Sequence, residues 1–76
     1  MKLFHAVGRA SNKKPAMINL SYNGDKSSDE WLALIGKGIC FDSGGLDLKG
    51  SEHLGPMFLD KSGACSCLAA IEHIAR

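Results

Sequence analysis

From Ala16 to Tyr22 apolar and polar positions alternate, with Ile18, Leu20 and Tyr22 on one side and Met17, Asn19 and Ser21 on the other. That two-residue period predicts a half-buried strand. Trp31-Leu32-Ala33-Leu34-Ile35 is a continuous apolar run and predicts a buried strand extending to Phe41. Between the two, Asn23-Gly24-Asp25 has turn chemistry, and Lys26 to Glu30 reads as a solvated connection. This connection is too long for a two-residue hairpin turn, although the strands can still pair. The period changes at both ends of the chain. Leu3, Phe4, Ala6 and Val7 predict a short helix closing near Gly8, followed by a polar loop that ends at Pro15. From Lys61 to Arg76 the spacing is helical, with Ala64, Cys67, Leu68, Ile71, Ile74 and Ala75 on one apolar face. Ser43 to Leu59, rich in glycine, predicts a structured loop with a short strand at Leu46-Asp47-Leu48.

A hairpin and one helix bury little, and 76 residues lie near the size at which a single hydrophobic core is marginal. The expected fold class is therefore α/β: a fragment of a mixed β-sheet flanked by helices, cut from a larger domain and incomplete at both ends. Composition agrees with a soluble globular chain, at 45% hydrophobic residues, 22% charged residues and a net charge of +1. That balance excludes a basic nucleic-acid stripe and a polybasic membrane segment. No apolar run is long enough to span a bilayer and no signal peptide is visible, so the expected location is cytoplasmic. Cys40, Cys65 and Cys67 are odd in number and lack a zinc spacing, which fits free thiols in a reducing compartment.

Candidate chemistry concentrates where the apolar run ends. Gly36-Lys37-Gly38 interrupts it with a lysine between glycines, and Asp42 follows just before Ser43-Gly44-Gly45. Charges at the end of a buried strand are costly unless paired or bound to something. His5, His53 and His73 form no metal motif, and the glycines match neither a phosphate loop nor a dinucleotide fingerprint. Lys37, Asp42, Lys49 and Asp60 remain. Each has a plain reading beside a functional one. Asp42 suits a turn, Asp60 a helix N-terminus, Lys37 a snorkelling side chain and Lys49 an ordinary surface position.

The stretch Leu34-Ile35-Gly36-Lys37-Gly38-Ile39-Cys40-Phe41-Asp42-Ser43-Gly44-Gly45-Leu46-Asp47-Leu48-Lys49 closely resembles the metal-binding core of the leucyl (cytosol) aminopeptidase family. Met57, Asp60 and Ser62-Gly63 stand where the family pattern continues, and Ala6 to Gly8 and Pro15 to Gly24 resemble its approach to that core. The resemblance implies a zinc-exopeptidase-like catalytic domain, of which residues 1–76 would be part. It implies an enzyme that releases N-terminal amino acids, leucine-type, from peptides through two divalent metal ions, zinc or manganese. Lys37 and Asp60 would bind one cation, Asp42 would touch both, and Asp60 would also face substrate. Lys49 would be catalytic, contacting the scissile carbonyl oxygen or the tetrahedral intermediate, and Met57 would line the pocket for the N-terminal side chain. A bicarbonate base and a homohexamer are further implications for the full-length parent.

The proposed roles are chemically coherent. A dinuclear centre polarises a carbonyl and activates a bridging water, a lysine ligates only as its neutral amine, and an ammonium suits a developing oxyanion. Two hard cations nevertheless want on the order of ten donor atoms, more than two carboxylates and one amine supply. In the family a downstream acidic segment provides the rest, so these 76 residues alone are expected to be inactive. Phe58 and Leu59 replace the basic and small residues usual there, Lys61 replaces a methionine, and Cys40 replaces a threonine or valine as a small buried residue. Cys65 and Cys67 read as packing residues of the helix. The first three departures keep open a non-catalytic relative that acts as a binding or oligomerisation module.

Overall fold

The computed structural model describes every residue except Asp47. Its elements are α1 (Lys2–Gly8), α2 (Ser51–Leu54), a 3-10 helix (Gly55–Leu59) and α3 (Ser62–Ile74). Helix α1 forms where the apolar spacing predicts it and closes with the Arg9 N–H donating to the His5 carbonyl at 2.9 Å. A Cβ on Gly8 would stand 2.6 Å from Pro15 Cγ, so the loop folds its proline back onto the helix end. Helix α3 also lies where the period places it. Of its expected face, Ala64, Cys67 and Ile71 are half-buried together with Ala70, while Leu68 and Ile74 remain exposed.

The two predicted strands are different. Residues 16–22 and 31–41 join no helix, with a bend at Cys40, and the described residues contain no strand and no strand ladder. The sheet of the α/β expectation is therefore not found among the described residues. An extended segment becomes a strand only when a neighbour takes up its N–H and C=O groups, and the two segments do not do this for one another. The burial expected of Trp31 to Ile35 is not found: Trp31 is 69% exposed and Ile35 93%. Cys40, expected to be buried, is exposed as well. Among the described residues none is fully buried, and the chain presents 7141 Å² to solvent. A compact protein of this size presents about 4,500 Å².

The expected loop from Ser43 to Leu59 is more ordered than its glycines suggest. Of the short strand expected at Leu46 to Leu48, Asp47 lies outside the described residues, and Leu46 belongs to a turn. After Gly50 the chain enters α2, with the His53 N–H on the Gly50 carbonyl at 2.8 Å. Pro56 opens the 3-10 helix, in a first turn whose N–H groups have no partner within the helix. Three residues per turn bring positions three apart onto one line. Leu54, Met57 and Asp60 are the half-buried residues of this stretch, and that spacing turns Met57 and Asp60 to the same side.

Candidate functional site

The segment from Gly36 to Gly38 and α3 meet backbone to backbone. A Cβ on Gly36 would lie 2.5 Å from the Gly63 carbonyl oxygen and 2.7 Å from Ala64 Cα, and one on Gly38 would lie 3.0 Å from Ala64 Cβ. Only glycine allows that approach. The contact is fastened by the Ala64 N–H, which donates to the Lys37 carbonyl at 2.9 Å. The first N–H groups of a helix have no intrahelical acceptor, so this segment supplies what α3 lacks at its start. One consequence is positional: Lys37 is held beside the residues that precede α3, and Asp60 is among them.

Lys37 Nζ and Asp60 Oδ2 are 2.5 Å apart. Asp60 pairs across the fold with Lys37 rather than with the adjacent Lys61, whose half-buried position lies at the N-cap of α3. Both members of the pair remain nearly half exposed, so the pair orients the two groups more than it stabilises the chain. Asp60 is the C-cap residue of the 3-10 helix and stands outside α3, whose N-cap is Lys61 and whose first turn holds no acidic residue, so the plain reading of Asp60 as an N-terminal residue of that helix does not describe its position.

A second pair lies nearby. Lys49 Nζ is 3.1 Å from Asp42 Oδ2 and 3.3 Å from Met57 Sδ. Asp42 Oδ1 accepts the Gly44 N–H at 2.8 Å, leaving its other oxygen to the lysine. That backbone hydrogen bond, then the Lys49 side chain and the charges of Lys49 and Lys37, holds the Asp42 carboxyl below its ordinary value. Met57 joins the two pairs, since its sulfur lies against Lys49 and its carbonyl accepts the Asp60 N–H at 3.2 Å. The five predicted site residues thus form two ion pairs, Lys37 with Asp60 and Lys49 with Asp42, connected through Met57.

The turn between Asp42 and Lys49 contributes groups that the residue types alone did not reveal. Gly44 and Gly45 have φ of 81° and 135°, values unfavourable for residues with a Cβ. Ser43 accepts the Lys49 N–H on its carbonyl at 3.0 Å, and its hydroxyl donates to the Gly45 carbonyl. The Gly-Gly pair signalled this turn; the role of the serine had no signal beyond its place beside it.

Asp42 and Asp60 offer the carboxylate oxygens that hard cations favour, and Lys37 would add an amine donor only on losing the proton it shares with Asp60. Among the described residues, no group of three or more histidine, cysteine, aspartate and glutamate side chains is placed to hold a metal ion. The residues fit part of a dinuclear donor set and do not complete it.

The sequence model that matches this chain describes a catalytic domain. It is the catalytic domain of the cytosol aminopeptidase family, matched over residues 1–76, and the chain belongs to that family. Among similar curated proteins, the probable cytosol aminopeptidase of Aquifex aeolicus (strain VF5) is 41% identical over 76 residues, covering 100% of this chain and 15% of that protein. That of Chlorobium limicola is 45% identical over 71 residues, covering 93% and 14%. That of Clostridium perfringens is 43% identical over 77 residues, covering 100% and 16%. The chain therefore spans roughly a seventh of the length of these relatives. No solved structure matches it.

Proposed function

We propose that residues 1–76 form part of the catalytic domain of a metal-dependent aminopeptidase that releases N-terminal, leucine-type residues from peptides. The observation that carries this reading is the gathering of Lys37, Asp42, Lys49, Met57 and Asp60 in one neighbourhood, in a chain of the cytosol aminopeptidase family. In this reading Lys37, Asp42 and Asp60 hold two divalent ions, zinc or manganese, with further ligands from sequence outside these residues. The bound ions supply Lewis-acid polarisation of the scissile carbonyl and a nucleophilic water at neutral pH. Lys49 holds its ammonium toward the carbonyl oxygen and stabilises charge that develops there. Asp60 also faces substrate, and Met57 lines the pocket for the departing residue's side chain while packing its sulfur against Lys49. The sheet, a cytoplasmic homohexamer and a bicarbonate base belong to the same proposal for the complete protein. None of the described helices is long and apolar enough to cross a membrane.

The complete protein should hydrolyse leucine amide only when zinc or manganese is present, and Asp42→Ala should abolish the reaction. Normal turnover by the Asp42→Ala protein would overturn the assignment. The second reading, a non-catalytic relative, has one specific motive: Phe58, Leu59 and Lys61 depart from the family pattern beside Asp60. Calorimetric titration of manganese into the complete protein separates the two, because a binding module would lack a tight second site.

A further inference from the structure

The turn that follows Asp42 contains two adjacent glycines, Gly44 and Gly45, at positive φ, the residues with the most freedom to lose. Something must hold such a turn if the groups at its ends are to stay in register. Ser43 does so twice. Its hydroxyl oxygen accepts the Gly45 N–H at 3.3 Å and its hydroxyl donates to the Gly45 carbonyl, tying the side chain across Gly44. Its carbonyl accepts the Lys49 N–H at 3.0 Å, bringing the two ends of the turn together. With the turn closed, the Lys49 stem lies over Gly44, where a Cβ would stand 3.2 Å from Lys49 Cγ. The ammonium then reaches Asp42 Oδ2 and Met57 Sδ. Ser43 touches neither Lys37 nor Asp60 in any of these contacts, so it acts on one half of the site.

We propose that the Ser43 hydroxyl is a positioning group, closing the glycine turn that carries Lys49 to Asp42 and thereby setting where the Lys49 ammonium stands relative to a bound peptide carbonyl. The catalytic part of this proposal rests on the aminopeptidase reading; the positional part does not. Without the hydroxyl, the glycine pair samples other conformations, and Lys49 spends less time against Asp42.

The test is timed acetylation of the complete protein with acetic anhydride, read lysine by lysine by peptide mass spectrometry, for wild type, Ser43→Ala and Ser43→Thr. In Ser43→Ala, Lys49 should be modified about three- to tenfold faster, as expected for the loss of one hydrogen bond. Lys37 and the exposed Lys14 should keep their wild-type rates, and Ser43→Thr, which retains the hydroxyl, should restore protection at Lys49. An unchanged Lys49 rate in Ser43→Ala overturns the proposal. A joint rise at Lys37 and Lys49 also overturns it, because that pattern is general loosening. On leucine amide, Ser43→Ala should lower kcat by about ten- to hundredfold, the usual cost of a misplaced catalytic group. KM should stay within about twofold under this assignment, since a positioning role spares ground-state binding. A complete wild-type protein that does not hydrolyse leucine amide overturns the aminopeptidase reading and the catalytic half of this proposal. The acetylation pattern still decides whether Ser43 places Lys49.

Discussion

From Ala16 to Ile35 the chain forms neither helix nor strand beyond a turn at Lys26-Ser27, and its apolar side chains lie in solvent, Ile18 at 82% and Leu32 at 83% exposure. From Gly36 to Ile71 it folds onto itself, and most of its half-buried residues lie there, including Asp42, Ser43, Lys49, Met57 and Asp60. The difference follows from where each region finds its hydrogen-bond partners. The second region finds them nearby: Ser43 closes on Lys49, Asp42 on Gly44, and Ala64 on Lys37. The first region has the alternation of a strand but needs an edge to pair with, and the described residues provide none. The candidate site is thus the best-formed part of the chain, in which no described residue is fully buried.

The largest test of this contrast removes everything outside the 76 residues. As an isolated chain, they should show no cooperative thermal transition by circular dichroism, because no residue among those described is fully buried. A sharp, two-state melt would break the comparison by showing that the first region packs unaided. In the complete protein the reading predicts the reverse for the same region. Ile35→Ala should cost about 2–4 kcal/mol in denaturant unfolding there, the usual loss from a covered core position. In a protein where Ile35 stays 93% exposed, that substitution would cost almost nothing.

Gly36→Ala probes the seam between the regions. The new methyl would meet backbone atoms of Gly63 and Ala64, which cannot swing aside as a flexible side chain can. The complete protein should lose about 1–3 kcal/mol of stability in chemical denaturation, typical of overpacking. It should also lose metal affinity, because Lys37 is carried away from Asp60. Unchanged manganese affinity in calorimetry would separate the Lys37–Asp60 pairing from the backbone contact. Gly44→Ala should cost less, about 1 kcal/mol for a left-handed alanine, also measured by denaturant unfolding. Its φ of 81° accounts for that cost, and crowding of the Lys49 stem should add a loss of turnover.

How far the sequence revealed this depended on the range of the interaction. The helical period from Lys61 onward yielded α3 within a residue or two, since side chains three and four apart create their own face. The family resemblance picked out Lys37, Asp42, Lys49, Met57 and Asp60, of which Lys37 meets Asp60 and Lys49 meets Asp42 and Met57, whereas residue types alone left a plain reading for each charged one. The short α2 and the 3-10 helix were missed, because Gly50, Gly55 and Pro56 also mark a loop, and four-residue helices have too few turns to show a period. The strands were legible as patterns and absent as ladders. Alternation reports which side of a strand would be covered and carries no information about what covers it. The exposure of Cys40 has the same origin, since its burial depended on that missing cover.

The smallest expected effect lies in the first region, at the short turn from Asp25 to Ser28. Asp25 Oδ1 accepts the Ser27 N–H at 2.9 Å and the Ser27 hydroxyl at 2.6 Å, and these bonds hold its carboxyl below the ordinary value of 3.8. Because the carboxylate is the form that accepts both bonds, the turn is fully formed above the ordinary value and opens as pH falls through the lowered one. Ser27→Ala removes the hydroxyl, the larger of the two causes, and should raise the Asp25 titration midpoint toward 3.8 in a carboxyl-carbon NMR titration. The Asp42 carboxyl signal should not move in the same variant, because Asp42 takes its hydrogen bonds from Gly44 and Lys49. A shift at Asp42 would mean that the connection and the site are coupled, and that the two regions do not divide at Gly36. An unshifted Asp25 would mean that the backbone N–H alone sets the turn.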